Sequence, residues 1–142
     1  MYKRVLVALE NSDYDATILN HIEPLLKMCD SEVVLVHVAD GFGARNYEKL
    51  QLVESAEMKV DREYLETVAH KMNGRGIETS IDLRTGEPSQ ELVRAAREHQ
   101  SDLVAMATHG HKGLSDVWHG TTVDKVRHEL EVPLLLLKAP KK

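Results

Sequence analysis

Apolar residues fall into five short runs along the chain: Arg4 to Leu9 (RVLVAL), Glu32 to Val38 (EVVLVHV), Ile77 to Leu83 (IETSIDL), Asp102 to Ala107 (DLVAMA) and Pro133 to Lys138 (PLLLLK). All but the third lack polar alternation, the pattern of strands covered on both faces. Between the runs, apolar positions recur at helical spacing. Ile18, Ile22, Leu25 and Cys29 form one stripe, and Val53, Ala56 and Val60 another that continues as Leu65, Val68 and Met72. Leu92, Val93 and Ala96 make a third stripe, and Val123, Val126 and Leu130 a fourth. Pro24 removes a backbone hydrogen bond from the first helix and is expected to kink it. The order β-α-β-α-β-α-β-α-β predicts an α/β fold: one open parallel sheet with helices on both faces and right-handed crossovers.

Two connections are long for a compact domain, "DGFGARNYEK" (Asp40 to Lys49) and the stretch from Thr108 to about Asp116. Both leave the carboxyl ends of strands, as does "ENSD" (Glu10 to Asp13) after the first strand. In open parallel sheets ligands bind on that side, where strand order reverses. No internal repeat or low-complexity segment is present, so a single site on one domain spanning residues 1–142 is the economical reading.

Composition narrows the classes of function. A formal charge of -5 opposes nucleic acid or an anionic membrane as the main partner. The lone Cys29 cannot form an internal disulfide, and its neighbours predict a buried, inert thiol. No run reaches the ~20 apolar residues of a membrane span, and "MYKRVLVAL" is too short for a signal peptide, so a cytoplasmic location is expected.

The densest candidate chemistry is "ATHGHKGLSDVWHGTT", Ala107 to Thr122. Gly110 and Gly113 let backbone approach a ligand, and Gly120-Thr121-Thr122 opens the last helix, whose free N–H groups suit an anion. Lys112, His109 and His111 can add charge or hydrogen bonds. The competing reading is a plain helix cap at Thr121 or Thr122. Neither the P-loop pattern nor the dinucleotide fingerprint is present. His109, His111, His119 and His128 lack a cysteine pair or a His-Glu-x-x-His helix and read as solvated or loop-ordering rather than as a zinc site. Glu10 is placed to accept hydrogen bonds from a ribose or base, and Ser12 or Asp13 to cap the first helix. An acidic phospho-acceptor pocket is excluded, because the third run ends in DLRTG without an aspartate at its tip. "GEPSQEL" reads as a helix start with Pro88 in its first turn. No nucleophile, base and acid constellation emerges.

Taken together, "RVLVALENSDYD", "VVLVHV", "TGEPSQELVRAAREHQSDLVAMATHGHKGLSDVWHGTTVDKV" and "VPLLLLKAP" resemble the universal stress protein family of the ATP-binding type, over essentially the whole chain. The family's nucleotide motif is Gly, two residues, Gly, nine residues, then Gly-Ser or Gly-Thr. Gly110, His111 to His119 and Gly120-Thr121 match its later part, whereas Ala107 stands in place of the first glycine. The resemblance implies strand order 3-2-1-4-5 and nucleotide binding between the first and fourth strands. It places Ala8, Leu9 and Glu10 beside the adenosine and Val38 against adenine. Ala107, His109 and Gly110 would wrap the phosphates, and Gly120, Thr121, Thr122 and Val123 would close over them. Glu10 stands where family members often carry aspartate, one methylene shorter.

In that order the last strand is an edge carrying four consecutive leucines, Leu134 to Leu137, which invites pairing with another chain. A homodimer through Pro133 to Lys138 is therefore expected, as is common in the family. The third strand, alternating Ile77, Thr79, Ile81 and Leu83 with polar residues, suits an edge left in water. The expected function is that of an ATP-binding, cytoplasmic stress-response sensor or regulator, without turnover or at most a slow ATPase, with Mg²⁺ arriving on the triphosphate. Two rivals remain open. One is a homodimeric interaction module whose pocket is spoiled by Ala107 or Glu10. The other is an adenylate-handling enzyme using His109, His111 or Lys112.

Overall fold

The computed structural model describes residues 1–39, 56–109 and 120–139, with backbone alone at 109, 120 and 121. Five strands and four helices alternate among these residues. They are β1 (Arg4–Ala8), α1 (Asp15–Cys29), β2 (Glu32–Ala39), α2 (Ala56–Gly74), β3 (Thr79–Thr85), α3 (Pro88–Glu98), β4 (Leu103–His109), α4 (Gly120–Glu129) and β5 (Leu134–Ala139). All four pairings are parallel, and the sheet order is β3-β2-β1-β4-β5. The expected fold class and strand order are both observed. Segments 40–55 and 110–119, which hold most of the two long connections, lie outside the described residues.

Two apolar layers sandwich the sheet. On one face Val5, Val7, Leu9, Leu35 and Ala105 pack with Ile18, Ile22 and Leu26 of α1 and with Leu65, Ala69 and Met72 of α2. On the other, Leu6, Ala8, Val34, Val36, Val104 and Met106 pack with Leu92 and Ala96 of α3 and with Val123 and Val126 of α4. β1 sits at the centre and is buried from Val5 to Ala8, because both of its faces carry helices.

The structure corrects several local expectations. In α1 the third buried apolar position is Leu26, while Leu25 and Cys29 are only half-buried, so the thiol is not sealed in the core. Ile18, Ile22 and Leu26 keep a strict four-residue step, and the expected stripe drifted off that face. α1 runs on through Pro24, which is exposed. In α2, Ala56 and Val60 are exposed, and Met58 takes the inward position. The third strand begins at Thr79 rather than Ile77, whose side chain is buried in the preceding turn.

The strand edges also differ from expectation. The polar face of β3 is not left in water. Arg84 reaches Asp82 (2.9 Å), Glu91 (3.3 Å) and Glu98, while His99 lies 2.7 Å from Asp82. These groups roof the strand with ion pairs from α3. β5, read as covered on both faces, is half-open: Leu134, Leu135 and Leu137 are half-buried and Leu136 is 38% exposed. α3 starts as expected, with Pro88 in its first turn and Glu87 accepting from the Gln90 N–H at 2.8 Å.

Candidate functional site

Chain connectivity places the site. From β1 the chain steps to β2 and β3 on one side of the sheet, then crosses back to β4 and β5 on the other. Strand order therefore reverses between β1 and β4, and their carboxyl ends flank a crevice. Ala8, opposite Met106 of β4 and Val36 of β2, forms its floor. Ala8, Val38 and Val123 share one apolar cluster, so the carboxyl ends of β1 and β2 and the first turn of α4 meet there. Leu9 and Ala107 pack on the opposite face, and the Ala107 methyl is only 4% exposed in that core. Glu10 and Thr122 are half-buried. The backbone of His109 closes β4 and that of Gly120 and Thr121 opens α4. Gly110, His111, Lys112 and His119 lie outside the described residues.

The turn after β1 is held more tightly than its sequence suggests. Leu9 extends the ladder by one residue, donating its N–H to the Val36 carbonyl at 2.9 Å. Asn11 then adopts a left-handed conformation (φ 64°), which asparagine tolerates better than most residues. That reversal turns successive N–H groups toward Asp15. Its carboxylate accepts from Glu10 N–H (3.0 Å), Asn11 N–H (2.8 Å), Ser12 N–H (3.3 Å) and the Tyr64 hydroxyl (2.6 Å). The expected cap is met in part: the Ser12 hydroxyl accepts from the Tyr14 N–H at 3.2 Å. Tyr14 itself, next to the first helical residue, makes no side-chain capping bond, and Asp15 inside the first turn collects the N–H groups of the turn that precedes it.

A second group pins the same turn from β2 and α2. The His37 Nδ1–H donates to the Leu9 carbonyl at 2.8 Å, and Nε2 lies 3.2 Å from Asp61 Oδ2. Asp61 Oδ1 accepts from the Asn11 side-chain amide at 3.0 Å. Burial alone would push the His37 imidazole down, but Asp61 and the Leu9 carbonyl outweigh it and hold it above its ordinary 6.5. Burial would push the Asp61 carboxyl up, yet His37 and Asn11 hold it below 3.8. Burial raises Asp15, offset only in part by its four donors. Burial and the neighbouring Asp15 charge push the Tyr64 phenol well up.

Asp15, His37, Asp61 and Tyr64 were not singled out from the sequence. One signal was available: His37 interrupts an otherwise apolar, fully covered strand, where an ionisable group needs a partner. Among the described residues, no group of three or more His, Cys, Asp or Glu is placed to hold a metal ion, and His128 is exposed on α4. No described helix is long and apolar enough to cross a membrane.

Comparison with known proteins agrees with this geometry. The family model described as the universal stress protein family matches residues 1–138. Universal stress protein MJ0531 of Methanocaldococcus jannaschii is 26% identical over 147 residues, covering 100% of this chain and 85% of the relative. A solved structure of MJ0577, from the same organism, superposes with a TM-score of 0.77 at 22% identity, covering 100% of this chain and 99% of the other. The universal stress protein of Archaeoglobus fulgidus, solved in complex with dAMP, gives a TM-score of 0.70 at 18% identity, covering 96% of this chain and 98% of the other.

Proposed function

The chain belongs to the universal stress protein family, and from that premise we propose that it binds an adenine nucleotide, ATP by preference, in the crevice between β1 and β4. The observation that carries this reading is that Ala8, Val38 and Val123, from the carboxyl ends of β1 and β2 and the first turn of α4, share one buried apolar cluster, with the tied turn at Leu9 to Asn11 leaving from β1. Apolar residues with a few fixed polar groups beside them suit a purine and its ribose. The dAMP complex of the Archaeoglobus relative supports the ligand class. Ala8, Leu9 and Glu10 border the adenosine, Val38 contacts the base, and Ala107, His109 and Gly110 surround the phosphates. Gly120, Thr121, Thr122 and Val123 close the site at the positive end of α4. Burial of the Ala107 methyl in the core is consistent with its tolerance in place of glycine. Mg²⁺, held through phosphate oxygens, would neutralise charge on the triphosphate.

In this reading the protein is a cytoplasmic stress-response sensor or regulator with slow or no hydrolysis, working as a homodimer through β5. The open, leucine-rich edge at Leu134 to Leu137 supports that pairing. The test is to denature purified protein and identify released nucleotide by chromatography and mass spectrometry. ATP at near one per chain is the expected result. If no nucleotide is released and ATP with Mg²⁺ gives no saturable binding by calorimetry, the nucleotide reading fails and an interaction module takes its place.

A further inference from the structure

His37 is 8% exposed, and both of its ring nitrogens face acceptors: the Leu9 carbonyl at Nδ1 and the Asp61 carboxylate at Nε2. A neutral imidazole carries one N–H and so satisfies only one of them; its other nitrogen would turn a lone pair toward an oxygen. The geometry therefore demands the doubly protonated ring. Loss of its proton breaks one of the ring's two bonds, either to the Leu9 carbonyl on the segment that presents Glu10 or to Asp61, which itself holds Asn11. Asp61 also anchors the Asn11 side chain, so the disturbance enters the turn from both ends.

We propose that His37, as an imidazolium bridging the Leu9 carbonyl and Asp61, is the positioning residue of the Leu9–Asn11 turn, and that its protonation couples adenine-nucleotide affinity to pH. This rests on the nucleotide reading above and adds regulation to the same site.

The surroundings of His37 leave few competing charges. α2 contributes Asp61, with the Tyr64 hydroxyl one turn further on. α1 contributes Asp15, whose charge also favours the imidazolium. The end of β1 contributes Glu10, whose charge acts on Tyr64. β3 sets Leu83 opposite His37, and its inward residues on that face, Ile81 and Leu83, are uncharged. Among the described residues, the charged groups that act on the ring, Asp61 and Asp15, are negative. Asp61 and the Leu9 carbonyl outweigh burial and keep the ring protonated to higher pH than an ordinary histidine, above 6.5. Protonation also adds a positive charge near an anionic ligand, so both effects make binding tighter at lower pH.

The test uses the full chain, with ATP and Mg²⁺ titrated by calorimetry from pH 5.5 to 9 into wild type, His37→Gln and Asp61→Asn. The glutamine variant subtracts the pH dependence of ATP itself. Wild type should lose about fivefold in affinity across the range beyond that shown by His37→Gln, a size typical of site coupling. Asp61→Asn places an amide donor against Nε2, satisfies the neutral ring, and should bring the ratio of Kd values at high and low pH to that of His37→Gln. By linkage, saturating nucleotide should move the His37 ring titration, followed by NMR, to higher pH. Failure of wild type to bind nucleotide at any pH overturns the functional reading and this coupling with it. Binding whose pH profile matches that of His37→Gln, or a His37 titration unmoved by nucleotide, overturns the coupling alone.

Discussion

Asp15→Ala gives the most direct measure of what the turn after β1 is worth. The carboxylate is 3% exposed and takes four donors, with Asn11 N–H at 2.8 Å, Glu10 N–H at 3.0 Å, Ser12 N–H at 3.3 Å and the Tyr64 hydroxyl at 2.6 Å. A stranded donor costs about 1–3 kcal/mol when buried. These bonds are only part-buried, so the low end applies to Glu10 and Asn11, about 2 kcal/mol together. The Ser12 contact is long and the Tyr64 hydroxyl can rotate toward water, so both add little. Removing the carboxylate also relieves its own burial, which trims the loss to about 1–2 kcal/mol. At about 2–4 °C per kcal/mol for a chain of this size, the midpoint should fall by about 2–8 °C. Urea unfolding followed by far-UV circular dichroism measures the change, with the slope against denaturant unchanged. Asp15→Asn is the sharper control. Its amide oxygen can still accept from Asn11, Ser12 and Tyr64, but its nitrogen is a donor facing the Glu10 N–H, so it should recover only part of the loss. An asparagine variant as stable as wild type would refute the argument that four donors converge on a carboxylate.

The remaining predictions concern pH, the nucleotide site and the sheet edge. His37 is held above 6.5, so its contribution to stability is complete below 6.5 and disappears as pH rises through its folded value. Asp61 is held below 3.8, so its contribution is present above 3.8 and disappears on acidification. The stability gap between wild type and His37→Gln should therefore be widest from about pH 4 to 6.5, at about 1–2 kcal/mol, and should narrow as pH rises through the folded value of His37, above 6.5. A gap independent of pH in urea melts would refute the ion pair. Gly120→Val should abolish nucleotide retention while leaving the dimer intact, checked by nucleotide content and sedimentation. Retained nucleotide in a folded variant would overturn the site assignment at α4. Leu136→Lys places a charge on the exposed leucine of β5 and should shift sedimentation to monomer without lowering the melting temperature; an unchanged dimer would remove β5 from the interface.

The legible part of this fold was the part written in local pattern. Four of the runs show the apolar continuity that a parallel sheet imposes, and their alternation with helical stripes determined the element order. Strand order came from the family resemblance rather than from periodicity. Phase within a helix was less secure. Leu26 lies one residue from Leu25, and only packing against the sheet decides which points inward. The turn network was hidden for a different reason. Asp15 follows the residues expected to cap α1, and it reaches the N–H groups of Glu10, Asn11 and Ser12 only because Asn11 reverses the backbone. His37 and Asp61 sit on separate elements and meet through the packing of α2 on β2, a relation no local spacing encodes.

The two sheet edges explain where a second chain can add. β3 exposes one side of its backbone, but its residues Asp82 and Arg84 are tied into a cluster with Glu91, Glu98 and His99 of α3. A strand docking there would have to be compatible with those ion pairs, whose separation would leave half-buried charges unmatched at high cost. Inward-directed charge of this kind is a recognised means of blunting an edge. β5 carries no such device along Leu134 to Leu137, and charge returns only at Lys138. Its half-buried leucines gain by covering: each ~40 Å² of apolar surface removed from water stabilises by about 1 kcal/mol. The asymmetry supports the proposed association through β5. That edge lies beside β4, so four strands, β4 and β5 of each chain, would separate the two proposed nucleotide sites of such a dimer.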